Sequence, residues 1–207
     1  MSAQPKSFIS QEEYLRRERL ADYKSEYYQG EIFPMNPEFR SDTPAMPGAR
    51  AAHSAINANV IAALITGLRG RPCSVFTSDL RVHIPANSLY TYPDASIVCG
   101  KAEMLDNEFD TLLNPLLLVE VLSDSTEEYD RNAKFRLYRS IPSLREYVLV
   151  SQYEHVVASY FLNDRKEWIY TDAEDMESSL YLASLDITLS FADVYANCEL
   201  PSKPLRQ

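Results

Sequence analysis

Leu116-Leu117-Leu118-Val119-Glu120-Val121-Leu122 is almost wholly apolar and is interrupted by a single acid. A run of this length without polar alternation reads as a strand covered on both faces, because each face must then be lined with apolar side chains. Such strands lie at the centre of a sheet with a layer on either side. Glu120 is the anomaly within it. An ionised carboxylate buried without partners costs several kcal/mol, a large share of the roughly 5 to 15 kcal/mol by which a domain is stable. A cation, a neighbouring lysine or arginine, or protonation at a raised pKa could each compensate it, and the first two are also what a metal-dependent hydrolase would provide. A purely structural ion pair is the competing reading.

Working outward toward the N-terminus, Tyr92-Pro93-Asp94-Ala95-Ser96-Ile97-Val98 places an acid at the first position of a second strand, directly after a proline that cannot donate to a ladder. Asp94 alone is a weak signal, since Pro-Asp is common in turns. Its weight comes from Glu120 on another central strand. Toward the C-terminus a helix is predicted over residues 127–140, and at about 100° per residue Lys134 falls between Leu137 and Tyr138 and nearly in line with Ile141, on the apolar arc. Its ammonium is expected to face the sheet. The alternative is an exposed Asp130–Lys134 pair at i,i+4, worth a few tenths of a kcal/mol.

The remaining elements follow from periodicity and turn chemistry. Ser10 followed by Glu13 reads as an N-cap with a capping-box glutamate, predicting a helix over residues 11–21. Tyr27-Tyr28-Gln29-Gly30-Glu31-Ile32-Phe33 predicts a hairpin or a bulged strand pair, and Pro34, Pro37, Pro44 and Pro47 mark a loop. Ile56, Val60, Ala63, Leu64 and Gly67 fall at helical spacing within residues 51–68. Strands are predicted over 73–77, 80–84, 95–99, 116–122, 146–150, 156–162, 167–170 and 187–189. This is an α/β (α+β) plan, a central mixed β-sheet flanked by helices, in one domain spanning residues 1–207.

With 207 residues and 45% hydrophobic content, the chain can bury one good core. No apolar run is long enough to span a bilayer. Cys73, Cys99 and Cys198 are too far apart for zinc spacing, and their odd number argues against a disulfide framework, so a reducing cytoplasmic compartment is expected. The formal charge of -10 repels a polyanion at long range and counts against an ordinary nucleic-acid binder. A local basic face can still bind phosphates within a Debye length of about 8 Å, and Arg69, Arg71 and Arg81 are candidates for one.

Tyr92-Pro93-Asp94, then Val119-Glu120-Val121-Leu122-Ser123-Asp124-Ser125-Thr126, then Asp130-Arg131 with Lys134, together resemble the Uma family, which belongs to the PD-(D/E)XK superfamily of restriction-endonuclease-like nucleases. Glu26-Tyr27-Tyr28-Gln29-Gly30-Glu31-Ile32 and Pro142-Ser143-Leu144-Arg145-Glu146-Tyr147 extend the likeness over residues of about 10 to 165, with C-terminal strands and a short helix appended. The resemblance implies a restriction-endonuclease-like fold, Asp94 and Glu120 as metal-binding carboxylates, and Lys134 in place of the superfamily's usual lysine. Glu31 or Glu26 would add a further carboxylate, and His53 matches a histidine common at this point of the family. Two residues after Glu120, where the superfamily motif has lysine, stands Leu122.

The implied activity is Mg²⁺-dependent (or Mn²⁺-dependent) hydrolysis of DNA, with RNA as the alternative substrate. Hard oxygen ligands suit Mg²⁺, which takes one or two carboxylates and fills its remaining positions with water or substrate phosphate. Cutting both strands of a duplex would suit a homodimer. A catalytically weak or inactive module for nucleic-acid binding or protein assembly is the reading from a different class, since fold does not settle function.

Overall fold

The computed structural model describes residues 8–35, 47–124 and 126–203. Its centre is a six-stranded mixed sheet built from β3 (Cys73–Thr77), β6 (Ala95–Cys99), β8 (Leu117–Leu122), β9 (Glu146–Ser151), β10 (Val156–Leu162) and β11 (Trp168–Glu174), in the order β11-β10-β9-β8-β6-β3. Only β8 and β9 pair in parallel; the other neighbours are antiparallel. The run that opens the sequence reading thus forms one of the two central strands, buried along its whole length.

A second sheet, ordered β2-β1-β5-β4-β7, comprises β1 (Ser25–Tyr28), β2 (Glu31–Pro34), β4 (Arg81–Ile84), β5 (Leu89–Thr91) and β7 (Thr111–Leu112). The short β5 and β7 fall outside the sequence expectation, because two- and three-residue strands carry no period to detect. A third pair, β12 (Ser179–Leu182) with β13 (Ile187–Ser190), is followed by α5 (Phe191–Val194).

The period-2 alternation of β8 divides the interior. Val119 and Val121 face one core with Ile56, Val60 and Leu64 of α2 (Pro47–Gly67) and with Leu180, Leu182 and Phe191. Leu118 and Leu122 face a second core with Phe135, Tyr138, Val82 and Ile84. Glu120 shares the parity, and hence the face, of that second core. Helix α1 (Gln11–Glu18) is anchored by a tyrosine cluster in which Tyr14 packs on Tyr27 and Tyr90 at centroid distances of 5.0 and 5.2 Å.

Several boundaries depart from the sequence reading. Helix α2 starts at Pro47, earlier than expected, which is compatible with proline in the first turn; Pro37 and Pro44 lie outside the described residues. Ser10 caps α1 by accepting from the Glu13 N–H at 3.2 Å, but the Glu13 carboxylate turns to Arg16 and Arg17 instead of closing a capping box. The expected helix over 127–140 is a continuous helical stretch in three parts, α3 (Glu127–Tyr129), a π-helical turn (Asp130–Lys134) and α4 (Phe135–Tyr138).

The cysteine expectation is overturned. Cys73 and Cys99 sit directly opposite each other in the β3–β6 register and form a disulfide, while Cys198 is free. They are 26 residues apart in sequence, and only the antiparallel pairing makes them neighbours. Among the described residues no helix is long and apolar enough to cross a membrane.

Candidate functional site

A cleft of about 480 Å³ opens at the carboxyl end of β8, lined by Glu26, His53, Asp94, Glu120, Asp130 and Lys134, with aromatic walls from Tyr28, Phe33, Tyr92 and Tyr129. Sites collect outside the carboxyl ends of central strands because the ladder stops there and backbone and side-chain groups are left to face a ligand.

The two acids singled out in the sequence meet through strand register. Ala95 of β6 pairs with Val119 of β8. One step further along the antiparallel ladder, Asp94 lies across from Glu120, and opposed residues share a face. The Val121 N–H donates to Asp94 Oδ2 at 2.8 Å, closing the ladder with a side chain where Pro93 interrupts the backbone. His53, from α2, places Nε2 at 3.3 Å from the same oxygen. Burial pulls the His53 pKa down, but the hydrogen bond and charge of Asp94 outweigh it and leave it raised.

Lys134 turns inward and is 5% exposed. Its Nζ is 2.8 Å from Glu120 Oε1, 3.3 Å from Asp130 Oδ1 and 3.5 Å from Glu26 Oε1. Both sequence alternatives for this lysine are therefore partly realised: the i,i+4 pair with Asp130 forms, and it is buried rather than exposed. The pair spans a π-turn. That turn widens the helix by one residue just where Asp130 and Lys134 both face the sheet, a distortion often found at functional sites. Tyr138, one turn later, donates its hydroxyl to Glu120 Oε1 at 2.7 Å.

Glu120 is held by two donors and still short of positive charge. Burial pushes its pKa up to about 8; Lys134 opposes that rise, while Asp130 and Asp94 add to it. Asp130 is raised too, chiefly by burial. Lys134 stays well above the ordinary lysine range because the surrounding carboxylates outweigh its desolvation.

Glu26 rather than Glu31 joins the cluster. The Thr91 hydroxyl donates to Glu26 Oε1, whereas Glu31 pairs across from Tyr28 at the start of β2, outside the lining of the cleft. Leu122, standing where the superfamily motif has lysine, is packed into the second core at 1% exposure. Asp130, Tyr138 and Tyr129 were missed as site residues. The Asp130–Lys134 spacing was visible in the sequence, but the burial of that pair was not. Ser125 lies outside the described residues.

The basic face proposed from Arg69, Arg71 and Arg81 does not form. Arg81 is buried on Tyr92, Thr111 and Asp110, and Arg71 is tied to the carbonyls of Leu185 and Asp186. Arg71 and Arg81 satisfy local acceptors instead of facing a ligand, which leaves Arg69 as the single member of the expected face.

A family model described as "Putative restriction endonuclease" matches residues 11–192, further than the 10–165 suggested by the motifs. Two uncharacterised proteins of Synechocystis sp. (strain PCC 6803) are each 36% identical, one over 160 residues (77% of this chain, 84% of its own length), the other over 184 residues (89% and 88%). A crystal structure from Anabaena variabilis ATCC 29413, titled a "putative nuclease belonging to DUF820", superposes with a TM-score of 0.66 at 17% identity, covering 91% of this chain and 98% of that one. At that identity the likeness shows the fold, which is restriction-endonuclease-like.

Proposed function

The chain belongs to the Uma2 family of the restriction-endonuclease-like fold, and from that premise we propose that it is a divalent-metal-dependent phosphodiester hydrolase acting on DNA. The observation that carries this reading is the convergence of Asp94, Glu120 and Lys134 in one cleft at the end of β8.

The donor set fits a hard cation. Glu26, Asp94, Glu120 and Asp130 share the cleft with Lys134 and His53, so the acids outnumber the bases, and Asp130 and Asp94 add to the rise that burial imposes on the Glu120 pKa. Among the described residues no three His, Cys, Asp or Glu side chains form a ready-made metal cluster. Two carboxylates suffice for Mg²⁺ when water and substrate phosphate complete its shell. Asp94 and Glu120 would hold the ion. When bound, it supplies a Lewis acid at the phosphate and a water of lowered pKa.

The chain's own residues do the rest. The Val121 N–H and His53 fix the Asp94 carboxylate, leaving its other oxygen for a ligand. Tyr138 and Lys134 both bind Glu120 Oε1, which leaves Oε2 for the cleft. Lys134, held by Glu120, Asp130 and Glu26, is a fixed ammonium that orients a nucleophile or offsets charge developing on the phosphate oxygens. Tyr28, Phe33, Tyr92 and Tyr129 narrow the entrance and displace water, which strengthens each of these interactions.

A second reading rests on the 2.8 Å Lys134–Glu120 pair, which by itself could neutralise the acid without a metal in a non-catalytic module. Cleavage of circular and single-stranded DNA with Mg²⁺ or Mn²⁺ separates the two. Wild type is expected to cut, and Asp94→Ala, Glu120→Ala and Lys134→Ala to lose about two orders of magnitude or more in rate. Equal traces from all four proteins would reject the hydrolase.

A further inference from the structure

In a chain with a formal charge of -10, half of the described lysines and arginines are matched by acids, among them Arg16 and Arg17 by Glu13, Arg19 by Asp106 and Asp110, Lys24 by Asp79, and Lys203 by Glu127. Arg136, Arg139, Arg165 and Lys166 are exposed and have no ion-pair partner among the described residues. They flank the contact between Phe135 and Trp168 along the chain. Arg136 and Arg139 lie at α4, and Arg165 and Lys166 form the turn between β10 and β11.

Aromatic rings fill the space between those two groups of bases. Arg139 sits 5.7 Å from the Phe135 ring centroid. Phe135 stacks on Tyr160 at 4.1 Å and meets Trp168 edge-on at 5.2 Å, and Tyr160 lies 5.1 Å from Tyr170, its cross-strand partner. Tyr170 is 48% exposed, and Arg131, next to Asp130 of the cleft, is close enough for its charge to act on the Tyr170 hydroxyl. From Arg131 to Arg139 the helix advances about 12 Å at about 1.5 Å per residue. A track of cations and rings therefore leads away from the mouth of the cleft.

The geometry points to this track, α4 with β10–β11, as the docking surface for a single-stranded polynucleotide whose phosphates meet the unpaired arginines and whose bases stack on Tyr170 and Trp168. Sequence-tolerant single-strand binding has this composition: a basic groove follows the backbone, while aromatic faces accept any base. The long-range repulsion from net charge is screened beyond about 8 Å, so local cations decide the contact. Asp164, Glu167 and Asp172 also border the track, which limits it to short-range capture. This inference deepens the hydrolase reading by naming its substrate form, and it rests on that reading only for what happens after docking.

The test is fluorescence anisotropy of a labelled oligo(dT) of about 20 nucleotides, titrated with the full chain in EDTA so that no cleavage occurs. Wild type is expected to bind with a steep salt dependence. Arg139→Glu/Lys166→Glu should weaken binding at least about tenfold and lower the salt slope by about 1.4, two contacts at about 0.7 each. Arg69→Glu/Lys101→Glu makes the same charge change on exposed residues away from the track and should shift binding by less than about threefold. Tyr170→Ala should weaken binding roughly tenfold while Tyr170→Phe, which keeps the ring, stays near wild type. Circular dichroism verifies that each variant is folded. No binding by wild type at low salt, or equal losses in the two charge-reversed proteins, overturns the docking surface. Track-dependent binding without metal-dependent cleavage upholds the surface and sinks the hydrolase; cleavage by track variants that bind like wild type sinks the surface alone.

Discussion

Lys134 is the residue on which the buried acids depend, with Glu120, Asp130 and Glu26 all within 3.5 Å of its ammonium. Removing one partner of a buried charge set leaves the others uncompensated, so above pH 8, where Glu120 is ionised, Lys134→Ala is expected to destabilise the fold by about 3 to 5 kcal/mol in chemical denaturation. Tyr138→Phe deletes one buried hydrogen bond to Glu120 and should cost about 0.5 to 1.5 kcal/mol near neutral pH. Equal stability of Lys134→Ala and wild type would mean that the acids are neutral in the metal-free protein. The same cluster sets a pH dependence. Glu120 is raised from its ordinary value to about 8, and Asp130 and His53 are also raised. Their folded forms hold protons that the unfolded chain releases, so the stability that Glu120 contributes is present at low pH and is lost as pH climbs from the ordinary carboxylate range through about 8, and Asp130 and His53 act in the same direction. In EDTA the melting temperature should fall over that window, and Glu120→Gln should flatten the fall.

At the scale of elements, the π-turn and the β1–β2 hairpin carry the site's shape. The hairpin turns on Gln29 and Gly30, both at positive φ (47° and 90°), the two-residue turn whose twist matches paired strands. A Cβ at Gly30 would stand 2.3 Å from the Phe8 ring as well as in a backbone region that side chains disfavour. Gly30→Ala is therefore expected to cost about 1 to 3 kcal/mol and to loosen the wall formed by Tyr28 and Phe33. Thermal melts give the first effect, and quicker proteolysis near residue 30 the second. The hairpin was legible in the sequence because glycine flanked by β-prone residues has few other uses. The π-turn was not, since Asp130-Arg131-Asn132-Ala133-Lys134 has ordinary helical composition.

For the whole molecule, the fold brings together groups from the central sheet (Asp94, Glu120), the second sheet (Glu26) and two helical stretches (His53, Lys134). An ion that binds only the folded arrangement stabilises all of it by mass action, about 2.7 kcal/mol at a hundred times its dissociation constant. Mn²⁺ is expected to raise the melting temperature of wild type and not of Asp94→Ala. The rise should be larger above pH 8 than at pH 6, because the ion competes with the proton on Glu120. A melt insensitive to saturating Mn²⁺ at both pH values would favour the metal-free module.

By itself the sequence determined the central strand, its lone acid, most of the regular strands and the inward lysine. Each of those is written in local periodicity, and a buried charge interrupts an apolar pattern wherever it falls. Tertiary structure alone decided that Glu26 rather than Glu31 reaches the cleft, that Asp130 is buried beside Lys134, that Cys73 meets Cys99, and that Arg81 serves the core while Arg136, Arg139, Arg165 and Lys166 flank the contact between Phe135 and Trp168. Those outcomes depend on strand register and on which surfaces meet, and contacts between residues far apart in the chain leave no trace in the local pattern of either one.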